Sequence, residues 1–273
     1  MEYTIGEVSA ILSLSRDMIR YYEKQGAIQA GRNEANRYRT YDTMEVFWLL
    51  EAMEHKSWGV PISEIRKIRG SQYAVNTAAF LDGEIAKKRE EAAWDTLLAE
   101  RLLGIRDYME FGALNIGNFW VAGTEPAYLC HLVTGWGDRY ERINLPEEAS
   151  RFIFSEKMLP FFDSGFTARG GRIDWEMRIS ERYVRALKAE LPEPFFRDPG
   201  GICLCTNVDI GEIGTFDPAV FHVLHEYAAR RGYRVKEGAP VRGFLLGRGY
   251  EDGRFRRVIR AFLPLEEPAD AGM

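Results

Sequence analysis

Ser15-Arg16-Asp17-Met18-Ile19-Arg20-Tyr21-Tyr22-Glu23-Lys24-Gln25-Gly26 is the stretch that decides the fold of the N-terminal third. Ser15 has the short hydroxyl that accepts from a free amide and starts a helix. Met18, Ile19 and Tyr22 follow at helical spacing and make its buried stripe, which leaves Arg16, Arg20 and Tyr21 toward solvent or a polyanion. Gly26 ends the segment. Upstream, Thr4 caps a shorter helix with apolar positions at Ile5, Val8, Ile11 and Leu12, and Leu14 interrupts before Ser15 restarts. Two short helices with a tight turn between them form a helix-turn-helix, whose second helix enters the major groove of a duplex. A purely structural helical hairpin has the same periodicity, so spacing alone leaves DNA binding open.

The text downstream weighs against the hairpin. Asn36-Arg37-Tyr38-Arg39-Thr40-Tyr41 and Trp58-Gly59-Val60-Pro61-Ile62-Ser63-Glu64-Ile65 follow the Arg20-Tyr21-Tyr22-Glu23 segment in order. Roughly residues 3 to 69 closely resemble the start of the MerR family of transcription regulators. The resemblance implies a winged helix-turn-helix over residues 1–72, with Arg-Tyr-Tyr-Glu closing the recognition helix. It also implies a first wing at Tyr38–Tyr41, and a second wing with its following helix from Trp58 onward. The DNA contacts it implies are Arg16, Arg20, Tyr21, Arg37, Tyr38, Arg39 and Tyr41. Arg37 stands where the family commonly has Gly, and a side chain there alters the wing tip or adds a phosphate contact.

Charge gives this expectation little help. The 273-residue chain has a net charge of -5, and residues 1–72 balance 10 Lys+Arg against 10 Asp+Glu. Only locally, between Ser15 and Asp42, do six basic residues outnumber four acidic ones, interleaved with Tyr21, Tyr22, Tyr38 and Tyr41. That mixture suits a phosphate backbone, Arg supplying charge and Tyr a hydroxyl donor. The length predicts two domains. Without a basic, then apolar, N-terminal segment or a run of 18 apolar residues, the sequence predicts a cytoplasmic protein that does not span a membrane. Cys130, Cys203 and Cys205 are expected as buried free thiols, the last two on one face of a strand.

Residues 73–112 are expected to form a dimerisation helix. From Val75 to Glu110 there is no proline, and Ala78, Ile85, Ala92 and Ala99 recur every seven residues beside Leu81 and Leu102, with Lys88 and Asp95 interrupting. So narrow a seam buries little within one chain, and small alanines admit a second helix. The family resemblance implies an antiparallel homodimer; the alternative is a surface helix packed on its own C-terminal domain. Residues 70–115 contain neither Cys nor His, which excludes thiolate or imidazole capture of a metal there. His222 and His225 have no evident third ligand. No metal and no cofactor are expected.

Residues 117–268 read as an α+β domain made by duplication. The first copy is an apolar run Ala127–Val133, a helical stretch Glu147–Phe162, Gly165-Phe166, a strand with Ile173, Trp175, Met177 and Ile179, then Val184–Leu191. The second is Ile202–Val208, a helix from Pro218 to Arg231, Gly232-Tyr233, a strand Val241–Leu246, then Val258–Leu263. Two strand-helix-strand-strand units predict an antiparallel sheet with helices on one face and a groove where the units meet. The order resembles the GyrI-like effector-binding domain, which implies a multidrug-sensor type of pocket for bulky, often cationic ligands. Tyr128, Trp136, Tyr140, Trp175, Glu176 and Phe244 are the candidate effector residues, with Trp175 and Phe244 expected on equivalent strands, facing across the groove. Asp174 and Glu176 alternate with Trp175, which puts them on the opposite, solvent face, and Arg242 leaves an anionic or neutral ligand open.

Together these readings predict a ligand-responsive regulator. The resemblance implies a homodimer that distorts promoter DNA for the RNA polymerase holoenzyme when a small aromatic or lipophilic effector binds, most simply as an activator. It is not expected to be an enzyme, since no G-x-S-x-G, H-E-x-x-H or phosphate loop is present. The alternatives are a GyrI-like domain acting as a hydrolase or as a small-molecule sequestrant.

Overall fold

The computed structural model describes residues 1–62 and 73–266, and the chain divides into two compact units, residues 1–92 and 93–273. Ser63, Glu64 and Ile65 of the expected second wing, and residues 267–268 of the expected C-terminal domain, lie outside the described residues.

The N-terminal unit runs β1 (Glu2–Thr4), α1 (Ile5–Leu12), α2 (Arg16–Lys24), β2 (Gly31–Arg32), β3 (Arg39–Asp42) and α3 (Thr43–Ser57). The starts of α1 and α2 are where Thr4 and Ser15 predict them, and a carboxylate, Asp42, caps α3. Thr4 and Glu7 form a reciprocal capping box, and the two bonds from Thr4 hold the Glu7 carboxyl below the usual carboxylate range. Ser15 accepts from the Met18 amide at 3.2 Å and Asp42 from that of Glu45 at 2.8 Å. Ser13, with φ at 52°, makes the turn between α1 and α2. Val8, Ile19, Tyr22, Ile28, Tyr41 and Leu49 close the core. The antiparallel sheet has the order β1-β3-β2.

Helix α4 covers Tyr73–Leu114, slightly longer than expected. Its seam residues Ala78, Ile85, Ala92 and Ala99 are exposed, as are Lys88, Asp95 and Leu102.

The C-terminal unit is a nine-stranded antiparallel sheet. Its elements are β4 (Phe119–Thr124), β5 (Ala127–Trp136), β6 (Arg139–Ile143), α5 (Glu147–Ile153), β7 (Phe162–Arg169), β8 (Arg172–Ser180) and α6 (Glu181–Ala186). There follow β9 (Phe196–Asp198), β10 (Gly201–Asp209), α7 (His222–Arg231), β11 (Val241–Glu251) and β12 (Arg254–Pro264). The order is β4-β10-β12-β11-β7-β8-β5-β6, with β9 also paired to β5. The duplication is present as β5-α5-β7-β8 and β10-α7-β11-β12, joined edge to edge where Val241–Phe244 pairs with Ala168–Gly165.

Within the first copy the expected assignment is corrected. The helix stops at Ile153, where the Phe154 amide turns back to the Ser150 and Phe152 carbonyls, instead of continuing to Phe162, and Pro160, which has no amide for a further helical bond, sits in a separate 3-10 turn, Leu159–Phe161. Gly165-Phe166, expected between the helix and the strand, lies inside β7. Val184–Leu191 is no strand: it overlaps α6 and the loop after it. Consequently β7 is the counterpart of β11, and β8 that of β12.

Both α5 and α7 cover one face of the sheet, as predicted. Ala149 and Ile153 pack on Met177 and Ile179, while Leu224 and Ala228 pack on Phe166, Ile173, Val241 and Leu263. The other face carries Cys203, Cys205, Phe244, Leu246 and Phe262. All three cysteines are free and buried, and burial pushes the Cys205 thiol up to about 12.

Candidate DNA-reading face and effector groove

In the N-terminal unit, α2 and the β2–β3 wing form a basic, tyrosine-bearing surface. Arg16, Arg20, Arg37, Arg39, Tyr21 and Tyr38 are all exposed, Tyr38 at 72%. Among the described residues Arg20 pairs with Asp17 at 3.0 Å, an i,i+3 surface pair that a phosphate readily outcompetes. The wing is shaped by side chains that mimic turns. Asn33 Oδ1 accepts from the amides of Ala35 and Asn36, Asn36 Oδ1 from that of Tyr38, and the Arg37 amide donates to the Asn33 carbonyl. Arg37 has φ at 61°, the left-handed conformation for which Gly is the cheaper residue. Its guanidinium is thus carried on the tip at a cost in backbone strain. Arg32, one of the six basic residues between Ser15 and Asp42 but not a candidate contact, is also exposed and donates to the Arg37 carbonyl.

Tyr41 does not belong to this surface. It is 1% exposed, packs in the core, and its hydroxyl donates to Glu23 at 3.2 Å. Burial, then the Glu23 charge, pushes that hydroxyl up to about 12. Glu23 also receives Arg39 Nε at 3.2 Å. The Tyr-Arg-x-Tyr segment therefore clamps the wing to the end of α2, and of its residues Tyr38 and Arg39 remain available to DNA.

In the C-terminal unit, a groove of about 540 Å³ opens where the two repeats join. Trp175, Tyr140 and Phe255 supply its aromatic walls, and Leu132, Ile210 and Leu245 much of the rest. The Trp175 indole donates to the Gly137 carbonyl at 3.0 Å, which fixes its ring. Asp138 and Arg257 meet beside it in a two-pronged pair at 2.5 and 2.7 Å, both nearly buried. Burial alone would raise Asp138, but the Arg257 bonds and the Gly214 amide hold its carboxyl below the usual range. Gly137, with φ at +56°, permits this closure, since a Cβ there would fall 2.0 Å from the Phe216 carbonyl oxygen. Asp138 and Arg257 are 119 positions apart, and no local signal links them.

Of the six candidate effector residues, the groove lining includes Tyr140, Trp175 and Glu176. Phe244 lies on the opposite face, because β11 matches β7 and its register sets Phe244 against Gly165, not against Trp175. Tyr128 packs beside the α5 cluster, and Trp136 lies over Gly171. Glu176 alternates with Trp175 as expected, yet its carboxyl is not solvated: the residue is 1% exposed and accepts from Thr167 at 3.2 Å on the face that Phe244 shares. Burial pushes it up to about 8. His131 Nδ1 lies 3.5 Å away, and burial lowers that imidazole, so near neutral pH the two meet as uncharged groups. His222 and His225 start α7, and no metal-binding cluster occurs among the described residues.

Residues 3–71 match the MerR HTH family of regulatory proteins. With the capped helix pair and wing, this makes the N-terminal domain a MerR-type helix-turn-helix. No curated protein matches the chain significantly. Among solved structures, it is similar to a MerR-family transcriptional regulator from Bacillus thuringiensis, with 26% identity, 39% of this chain and 96% of that one covered, and a TM-score of 0.29. It is also similar to EcmrR in the EcmrR-DNA complex of EcmrR-RPo, with 12% identity, 97% and 100% covered, and a TM-score of 0.30. A hydrolase from Listeria innocua matches with 14% identity, 56% and 93% covered, and a TM-score of 0.31. No helix among the described residues is long and apolar enough to cross a membrane.

Proposed function

We propose that the chain is a ligand-responsive transcription regulator that grips promoter DNA with α2 and the first wing and senses a small effector in the GyrI-like C-terminal domain. The observation that bears most weight is the exposed row Arg16, Arg20, Tyr21, Arg37, Tyr38 and Arg39, held in one surface by the Tyr41–Glu23–Arg39 clamp. The exposed alanine seam of α4 supports a homodimer, which presents two such surfaces to a palindromic site. The groove beside Trp175 is the effector site in this reading, with no catalytic step assigned to it. Effector binding distorts the promoter for RNA polymerase holoenzyme only if the distorting state binds effector more tightly than the resting state.

Fluorescence anisotropy with a duplex from the chain's own upstream region tests the DNA reading. Arg20→Ala should weaken binding by about 1–3 kcal/mol and reduce the slope of log K against log salt by about one. Unchanged affinity and slope would remove Arg20 from the interface, and a wild-type protein without preference for that duplex would end the regulator reading.

A further inference from the structure

Among the described residues, four carboxyl or guanidinium side chains line the groove: Asp138, Glu176, Arg248 and Arg257. Asp138 and Arg257 neutralise each other, and Arg257 further donates to the carbonyls of Gly211 and Glu212. The Glu176 carboxyl is directed to the other face, against Thr167. Arg248 on β11 is different: it is exposed, and among the described residues its guanidinium makes no ion pair or hydrogen bond. Among the described residues of this aromatic groove, the uncompensated charge is therefore positive.

We infer that the groove takes an aromatic anion, its ring against Trp175, Tyr140 and Phe255 and a carboxylate-like group on the Arg248 guanidinium. This rests on the groove being the effector site. A planar guanidinium matches a carboxylate with two parallel bonds, and the neighbouring aromatic walls receive the ring of the same ligand. A lipophilic cation finds the opposite: Arg248 repels it, and among the described lining residues no carboxylate is free to receive it. The other aromatic cluster of this unit is no alternative, because Arg260 already occupies it, its guanidinium 4.9 Å from the Tyr108 ring centre and 5.3 Å from that of Trp120.

Isothermal titration calorimetry of the full chain with three probes of one shape tests the assignment: 1-naphthoate, 1-naphthalenemethanol and (1-naphthylmethyl)trimethylammonium. The carboxylate should bind about tenfold tighter than the alcohol, and the ammonium weakest. Arg248→Gln should erase the carboxylate advantage while leaving the alcohol unchanged, Arg248→Lys should retain part of it, and Trp175→Ala should weaken all three. An ammonium that binds as well as the carboxylate, or a carboxylate preference that survives Arg248→Gln, overturns the anion assignment while leaving the groove in place. Binding of all three that is indifferent to Trp175→Ala, or no binding of any, overturns the groove as the site and the anion assignment with it.

Discussion

Asp138→Ala should cost the C-terminal unit about 3 kcal/mol, because it strands the Arg257 guanidinium in a nearly buried position with only carbonyl partners. The loss is larger than that of a surface ion pair, since Asp138 also accepts from the Gly214 amide and thereby ties the β5–β6 turn to the loop before α7. Urea unfolding followed by circular dichroism reads it as a lower midpoint, with the groove losing one wall. A double variant, Asp138→Leu with Arg257→Leu, should recover part of the loss, because no unpaired charge then remains buried. Equal stability of wild type and Asp138→Ala would show that water already solvates the pair.

The contrast between the two halves shows what a sequence can reveal. The caps at Thr4 and Ser15, the stripe Ile19 and Tyr22, and the exposed Arg16 and Arg20 all depend on neighbours within a few residues. They are legible for that reason. The wing motif assigns Tyr41 to DNA because this residue ends it, but a strand alternates, and the partner that decides its direction, Glu23, comes from another element. Strand β7 escapes the sequence pattern for a related cause. It begins Phe162-Asp163-Ser164-Gly165, polar and glycine-bearing, because this stretch joins the two repeats and its inward residues pack on distant strands. Assigning the strand pair to β8 and α6 instead shifts the matching by one element, and that shift places Trp175 and Phe244 on equivalent strands.

The aromatic richness of this domain is legible as well, but not its use. Phe244, with Tyr108, Phe111 and Trp120, surrounds Arg260 at 4.9 to 5.9 Å between ring centres and the guanidinium carbon. These rings hold a cation that belongs to the chain, and they fasten the end of α4 to the sheet. Gly112 allows the approach, since a Cβ there would lie 2.8 Å from Leu246 Cδ1. Composition cannot separate such a clamp from a ligand cage, because both need the same residues; only the register of β11 against β12, which sets Phe244 opposite Arg260, decides it.

The register also buries Glu176, and its titration should dominate the pH dependence of the C-terminal unit. The groups around its carboxyl are Thr167, which donates to it, His131, Arg178, Arg242 and Asp174; burial outweighs the two guanidinium charges and raises it from 4.5 to about 8. A carboxyl that ionises later when folded keeps its proton while the unfolded chain has lost it. Stability contributed by this group is therefore complete below pH 4.5 and declines as pH rises toward 8, by on the order of 5 kcal/mol. Glu176→Gln imitates the protonated acid in size and hydrogen bonding without titrating. Unfolding free energies measured from about pH 4 to pH 9 should therefore diverge, the wild type falling below the Glu176→Gln variant as pH climbs through this window. Parallel curves would mean that Glu176 is ionised in the folded protein, with Arg178 and Arg242 as its counter-charges.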